Sequence, residues 1–83
     1  MVVEHFHEGC LERIYARFHT RGRMLPADLH YLDSWLSADG QRCYQLMETE
    51  RFESFAEWTP LWEDLADFEI VELGDKPAAG GET

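Results

Sequence analysis

The chain is short of positive charge. Lys and Arg together number 7 against 17 Asp and Glu, a formal net charge of −10 over 83 residues. Nucleic acid is a polyanion and is held by basic patches that displace its counterions, so this balance argues against DNA or RNA as a partner. An anionic membrane surface is disfavoured for the same reason. Long apolar runs are missing too: no stretch approaches the ~20 apolar residues of a membrane-spanning helix. The first residues, MVVEHFHE, lack a basic segment and a long apolar stretch, so no secretory signal is expected. Cysteine is scarce. Cys10 and Cys43 are too few for a disulfide scaffold, and without an export signal they are expected as reduced thiols in the cytoplasm.

What the chain does have is apolar and aromatic surface. Hydrophobic residues make up 45% and aromatic residues 13%, a folding composition. Its length predicts one domain, near the lower limit for a self-sufficient core. The net charge favours solubility.

Residues 1–6 are rich in β-branched residues and read as a strand, closed by Gly9. Leu11, Ile14, Tyr15 and Phe18 follow the i, i+3, i+4, i+7 spacing of an amphipathic helix, with Arg21 in the last turn and Gly22 after it. Pro26 marks a connecting loop. Residues 29–36 and 42–48 read as two strands around Asp39-Gly40, the strongest hairpin signal in the chain. A second helix is expected from Thr49 or Glu50, with apolar positions Phe52, Phe55, Trp58, Leu61, Trp62 and Leu65. Pro60 should kink or split it. Residues 68–73 read as the last strand, and residues 74–83 as a disordered acidic tail.

The order β-α-β-β-α-β predicts an α+β, ferredoxin-like domain over residues 1–73. It has a four-stranded antiparallel sheet, two helices on one face and a usual strand order of 4-1-3-2. Alternation places Leu29, Tyr31, Asp33 and Trp35 on one face of the second strand, and His30, Leu32, Ser34 and Leu36 on the other. In the third strand Cys43, Gln45 and Met47 oppose Tyr44 and Leu46. Neither sheet face is cleanly polar, so both faces should be covered. A chain this small has only a second copy to offer, which predicts a two-fold homodimer packed through the sheets.

Glu48-Thr49, Trp58 and the run WEDLADFEI at residues 62–70, with Arg17-Phe18 and Trp35, resemble an uncharacterised family of small bacterial proteins known only as a domain of unknown function. That family is similar in turn to the dimeric α/β-barrel superfamily, in which two ferredoxin-like domains pack through their sheets. The resemblance spans most of residues 1–73 and implies the fold and the dimer. It carries over no catalytic residues. His5 and His7 lie outside the shared pattern, and Pro60 departs from it. The superfamily includes cofactor-free monooxygenases, muconolactone isomerase-like proteins, haem peroxidases and stress-responsive proteins, so the fold leaves the activity open.

The stretch HFHEGC at residues 5–10 gathers potential metal ligands. His5 and His7 share a strand face, and a metal needs further ligands nearby. With the first and third strands taken as parallel, His5, His7, His30, Glu48 and Glu69 would meet at one sheet edge. The plainer reading, which takes precedence, is a solvated strand end with no metal and no cofactor. The same parallel arrangement sets Cys10 and Cys43 too far apart for a disulfide. Arg13, Arg17 and Arg21 lie along one helix face and are expected to pair with Glu12 or Glu8. Tyr31, Trp35, Tyr44, Trp58 and Trp62 are candidates to line a ligand pocket, core packing being the default for the two tryptophans at i, i+4.

The expected function is a small-ligand-binding or interaction dimer. The alternatives are a cofactor-independent oxygenase or isomerase acting on a small aromatic or carbonyl compound, with His5 and His30 moving protons, and a His-based metal-binding protein. Whether the chain is an enzyme stays open at this point.

Overall fold

The structure is a computed structural model, and it describes residues 1–74. The element order is β1 (Val2–Phe6), α1 (Leu11–Arg21), β2 (His30–Leu36), β3 (Arg42–Glu48), α2 (Glu53–Trp58), a 3-10 turn (Thr59–Leu61) and β4 (Ala66–Ile70). The protein is thus α+β, with a four-stranded antiparallel sheet and two helices. Apart from Gly74, the tail expected to be disordered lies outside the described residues.

Local signals act where they stand. Gly22 ends α1 with φ +66°, its N–H bonded to the Phe18 carbonyl, a left-handed closure that glycine makes at no steric cost. The β2–β3 hairpin turns at Gly40, φ +73°. Asp39 holds the turn by accepting hydrogen bonds from the Ser37 hydroxyl and the Gln41 N–H. Pro60 splits the second helix: the α-helical turns stop at Trp58 and a 3-10 turn containing the proline follows. β4 begins two residues earlier than the apolar run FEIVEL implies, because buried Ala66 already pairs with Phe6.

The strand order is β2-β3-β1-β4, or β4-β1-β3-β2 from the other edge. β1 pairs antiparallel with both β3 and β4, and β2 with β3. This corrects the expectation that β1 and β3 run parallel. The α1 crossover brings β2 back in the direction of β1, and the hairpin then reverses β3.

The register sorts the side chains. Val2, Glu4 and Phe6 of β1 stand level with Gln45 and Cys43 of β3 and with Ile70, Phe68 and Ala66 of β4. This face carries the core, in which Val2, Met47 and Ala66 cluster with Ile14 from α1, Phe55 and Trp58 from α2, and Leu29, Trp62 and Leu65 from the connections. Fully buried side chains such as Leu29, Leu65 and Val2 contribute on the order of 1.5–3 kcal/mol each.

A β-bulge between Tyr31 and Asp33 corrects the expected facing of β2. The extra residue resets the alternation. Tyr31, Ser34 and Leu36 pair with Met47, Gln45 and Cys43 on the core face, while Asp33 and Trp35 pair with Leu46 and Tyr44 on the other. The Tyr31 hydroxyl lies 2.6 Å from Ser34 Oγ, on the shared side. The second face therefore holds Val3, Tyr44, Leu46 and Trp35 together with the polar His5, Arg42, Asp67, Glu69 and Asp33, and Trp35 is 51% exposed.

Candidate functional site: a cavity between sheet and helices

A cavity of about 210 Å³ lies between the core face of the sheet and the helices. β1 gives it Glu4 and Phe6, β3 gives Cys43 and Gln45, and α1 gives Ile14, Tyr15 and Phe18. Trp58 and Trp62 close it from the second helical segment, and Arg23 enters from the loop after α1. Most of the wall is apolar or aromatic, with a few convergent polar groups, which is the usual make-up of a small-molecule site.

Glu4 is the unusual group. It sits in phase with Val2 and Phe6 and is only 6% exposed. Its carboxylate accepts one long hydrogen bond, 3.4 Å from Gln45 Nε2. Burial pushes its pKa up from 4.5 to about 7, against a smaller downward pull from the Arg23 guanidinium. The carboxyl can therefore gain or lose a proton near neutral pH.

Arg23 is positioned through its backbone. Its carbonyl accepts hydrogen bonds from the Trp58 indole N–H at 2.8 Å and the Trp62 indole N–H at 3.2 Å. The next residue, Met24, has φ +58°, a left-handed conformation that costs a non-glycine residue roughly 1 kcal/mol. The guanidinium lies 3.5 Å from the Tyr31 ring centroid and 4.9 Å from that of Phe18, in the range of cation–π attraction. It makes no ion pair among the described residues.

Two further contacts set the site's limits. Cys43 pairs with Glu4 across the strands, and its thiol is pushed up to about 11, first by burial and then by the Glu4 charge. At neutral pH it is a protonated, weak nucleophile. Arg17 holds the outer wall: its two guanidinium nitrogens bond the two Asp64 carboxylate oxygens at 2.8 and 2.7 Å, and one also bonds the Leu61 carbonyl at 2.9 Å. Its guanidinium carbon lies 5.6 Å from the Trp62 ring centroid. Arg17 thus ties α1 to the 3-10 turn, where the α-helical periodicity alone had pointed to Glu12 or Glu8.

The residues singled out from the sequence fall into separate places. Trp58 and Trp62 line the cavity and belong to the core. Tyr31 stands behind Arg23, while Trp35 and Tyr44 lie on the opposite sheet face. Antiparallel pairing also divides the histidines. His5 stands level with Arg42 and Asp67, its Nε2 3.3 Å from Glu69. His7 Nε2 is 3.0 Å from Asp67. His30 pairs with Glu48, an edge pair on β2 and β3 away from them. The five proposed metal ligands therefore do not meet at one edge, and no cluster of three or more His, Cys, Asp or Glu suited to a metal occurs among the described residues. The expected separation of Cys10 and Cys43 also loses its basis, since Cys43 stands beside Glu4; both cysteines are free thiols. Glu4 and Arg23 were not among the candidates. Glu4 had one signal: a carboxylate in the apolar phase of a strand.

A family model described as a domain of unknown function, DUF3303, matches residues 1–75. The chain belongs to this family. No curated protein and no solved structure matches it. Among the described residues of this DUF3303 domain, the cavity is where a buried ionisable group, a cation and an aromatic wall converge. None of the helices among the described residues is long and apolar enough to cross a membrane.

Proposed function

We propose that the protein is a small-ligand-binding homodimer of ferredoxin-like subunits, paired sheet to sheet, with a ligand site in the helix–sheet cavity of each. The observation that carries the ligand site is Glu4, a carboxyl kept inside an apolar cavity beside an arginine that it does not bond. A buried ionisable group with one long hydrogen bond weakens the fold unless something else uses it. The dimer is supported by the second sheet face. Tyr44, Leu46 and half-exposed Trp35 give that face apolar surface among the polar His5, Arg42, Asp67, Glu69 and Asp33, where a sheet facing water would be polar throughout. The two free thiols accord with a reducing, cytoplasmic setting.

Glu4 also favours one alternative, proton transfer on a small aromatic or carbonyl compound, with the buried carboxyl in the role that the sequence assigned to His5 and His30. Native mass spectrometry of the purified protein tests the assembly. A dimer is expected, and Leu46→Glu should convert it to a folded monomer. A wild-type monomer at micromolar concentration overturns the sheet pairing. Benzyl alcohol, a neutral single-ring probe, tests the cavity: it should shift the Trp58 and Trp62 indole N–H resonances. Unmoved resonances at saturating probe overturn the ligand site.

A further inference from the structure

The geometry points to a small planar carboxylate as the ligand, with its ring or apolar body against the aromatic wall and its charge on Arg23. This rests on the ligand-site reading above and names the ligand's chemistry. Size comes first. Apolar cavities of roughly 150 Å³ take up benzene, so about 210 Å³ has room for one ring and a short polar substituent. Phe6, Phe18, Trp58 and Trp62 supply the apolar contact.

Charge comes second. The Arg23 guanidinium packs over the rings of Tyr31 and Phe18. Its N–H edge makes no hydrogen bond to any side chain or carbonyl among the described residues. A guanidinium edge is a planar fork of donors, and a carboxylate fits it with two parallel hydrogen bonds. Partial burial strengthens that pairing over its value in water.

Glu4 then fixes how the ligand is taken up. It shares the cavity with Arg23, and a second carboxylate arriving there meets a like charge if Glu4 is ionised. Two carboxylates in one site favour the state in which one of them holds a proton. Protonated Glu4 removes the repulsion and offers an O–H to a ligand oxygen. The other charged or titratable groups facing the cavity are Arg23 from the loop, Cys43 from β3 and Tyr15 from α1; β2 and α2 present Ser34 and Trp58, and on β4 the residue level with Glu4 is Phe68. Binding of a carboxylate is therefore coupled to proton uptake by Glu4.

Three single-ring probes decide the matter: benzoate, benzyl alcohol and benzylamine, each titrated into the 15N-labelled protein at pH 6 and pH 8. Benzoate is expected to shift the Gln45 side-chain amide and both indole N–H signals, and to bind about tenfold more weakly at pH 8. Glu4→Gln should keep benzoate binding and flatten its pH dependence. Arg23→Met should lose benzoate and keep benzyl alcohol, which also shows that the variant is folded. Benzyl alcohol binding without benzoate overturns the carboxylate and leaves the cavity reading standing. Preference for benzylamine overturns it as well. Equal benzoate affinity at the two pH values overturns the coupling to Glu4. If none of the probes binds, both readings fall.

Discussion

Replacing Glu4 by Gln should stabilise the protein at alkaline pH and leave it nearly unchanged in mild acid. Glutamine has the same shape and can still accept the Gln45 amide bond. The variant therefore isolates the charge. In the folded state the Glu4 carboxyl is raised from 4.5 to about 7, so the folded protein binds the proton more tightly than the unfolded chain. The stability this provides is fully present below pH 4.5 and is lost as pH rises through about 7. At ~1.4 kcal/mol per pH unit, the rise corresponds to about 3 kcal/mol between the protonated and ionised forms. A domain of this size holds roughly 4–12 kcal/mol in total, so the effect is a large share. Urea unfolding followed by tryptophan fluorescence, at fixed protein concentration, should show wild-type stability falling between pH 5 and 8 while Glu4→Gln falls far less. The two should differ by about 2–3 kcal/mol at pH 8. Parallel profiles that stay within about 0.5 kcal/mol, the usual spread for a surface substitution, would refute the reasoning from burial.

The remaining predictions concern other links in the fold. Trp58→Ala should cost about 3–5 kcal/mol through the cavity it leaves, and Trp58→Phe roughly 1 kcal/mol through the lost hydrogen bond to the Arg23 carbonyl; urea midpoints separate the two. Cys43 should resist alkylation. The rise of its thiol from 9.0 to about 11 lowers the thiolate population at pH 8 about a hundredfold relative to the unfolded chain, and peptide mass spectrometry after iodoacetamide reads it site by site. Asp64 is held down to about 2, chiefly by the Arg17 hydrogen bonds. Its contribution is present above pH 3.8 and lost as pH falls through about 2. Since Glu4 acts in the opposite sense, wild-type stability should peak in mild acid, and Asp64→Asn should flatten the acid limb of that profile. Trp35→Glu, like Leu46→Glu, should separate the proposed dimer without lowering near-ultraviolet circular dichroism from the core, as size-exclusion chromatography with light scattering would show.

Much of the fold was legible because its signals are local. Gly22, Asp39-Gly40 and Pro60 each act within a few residues, and β3 was bounded correctly from its own alternation. What failed depended on distance or on count. A bulge adds one residue at Leu32 without changing composition, yet it sends Tyr31 and Trp35 to opposite faces, and only the pairing with β3 reveals it. The direction of β3 relative to β1 follows from the connections between strands, and reading it as parallel gathered histidines that the sheet keeps apart. At the site, Trp58 and Trp62 were visible through helical spacing. Arg23 was not, because it sits in a loop whose position is set by hydrogen bonds to indoles 35 and 39 residues further on. Glu4 was readable in principle, since Val2 and Phe6 mark its face as the buried one.

The indoles of Trp58 and Trp62 grip residue 23 by its carbonyl oxygen, an atom that every amino acid carries. The mount is therefore independent of the tool. Exchanging the side chain at this position would alter what the cavity attracts without disturbing the two bonds that place it. A lysine there would offer a point charge, a glutamine a neutral hydrogen-bonding head and a leucine a wholly apolar pocket, all delivered to the same spot. Position 23 is thus where the chemistry offered by the cavity can drift or be redesigned while the architecture around it stays the same.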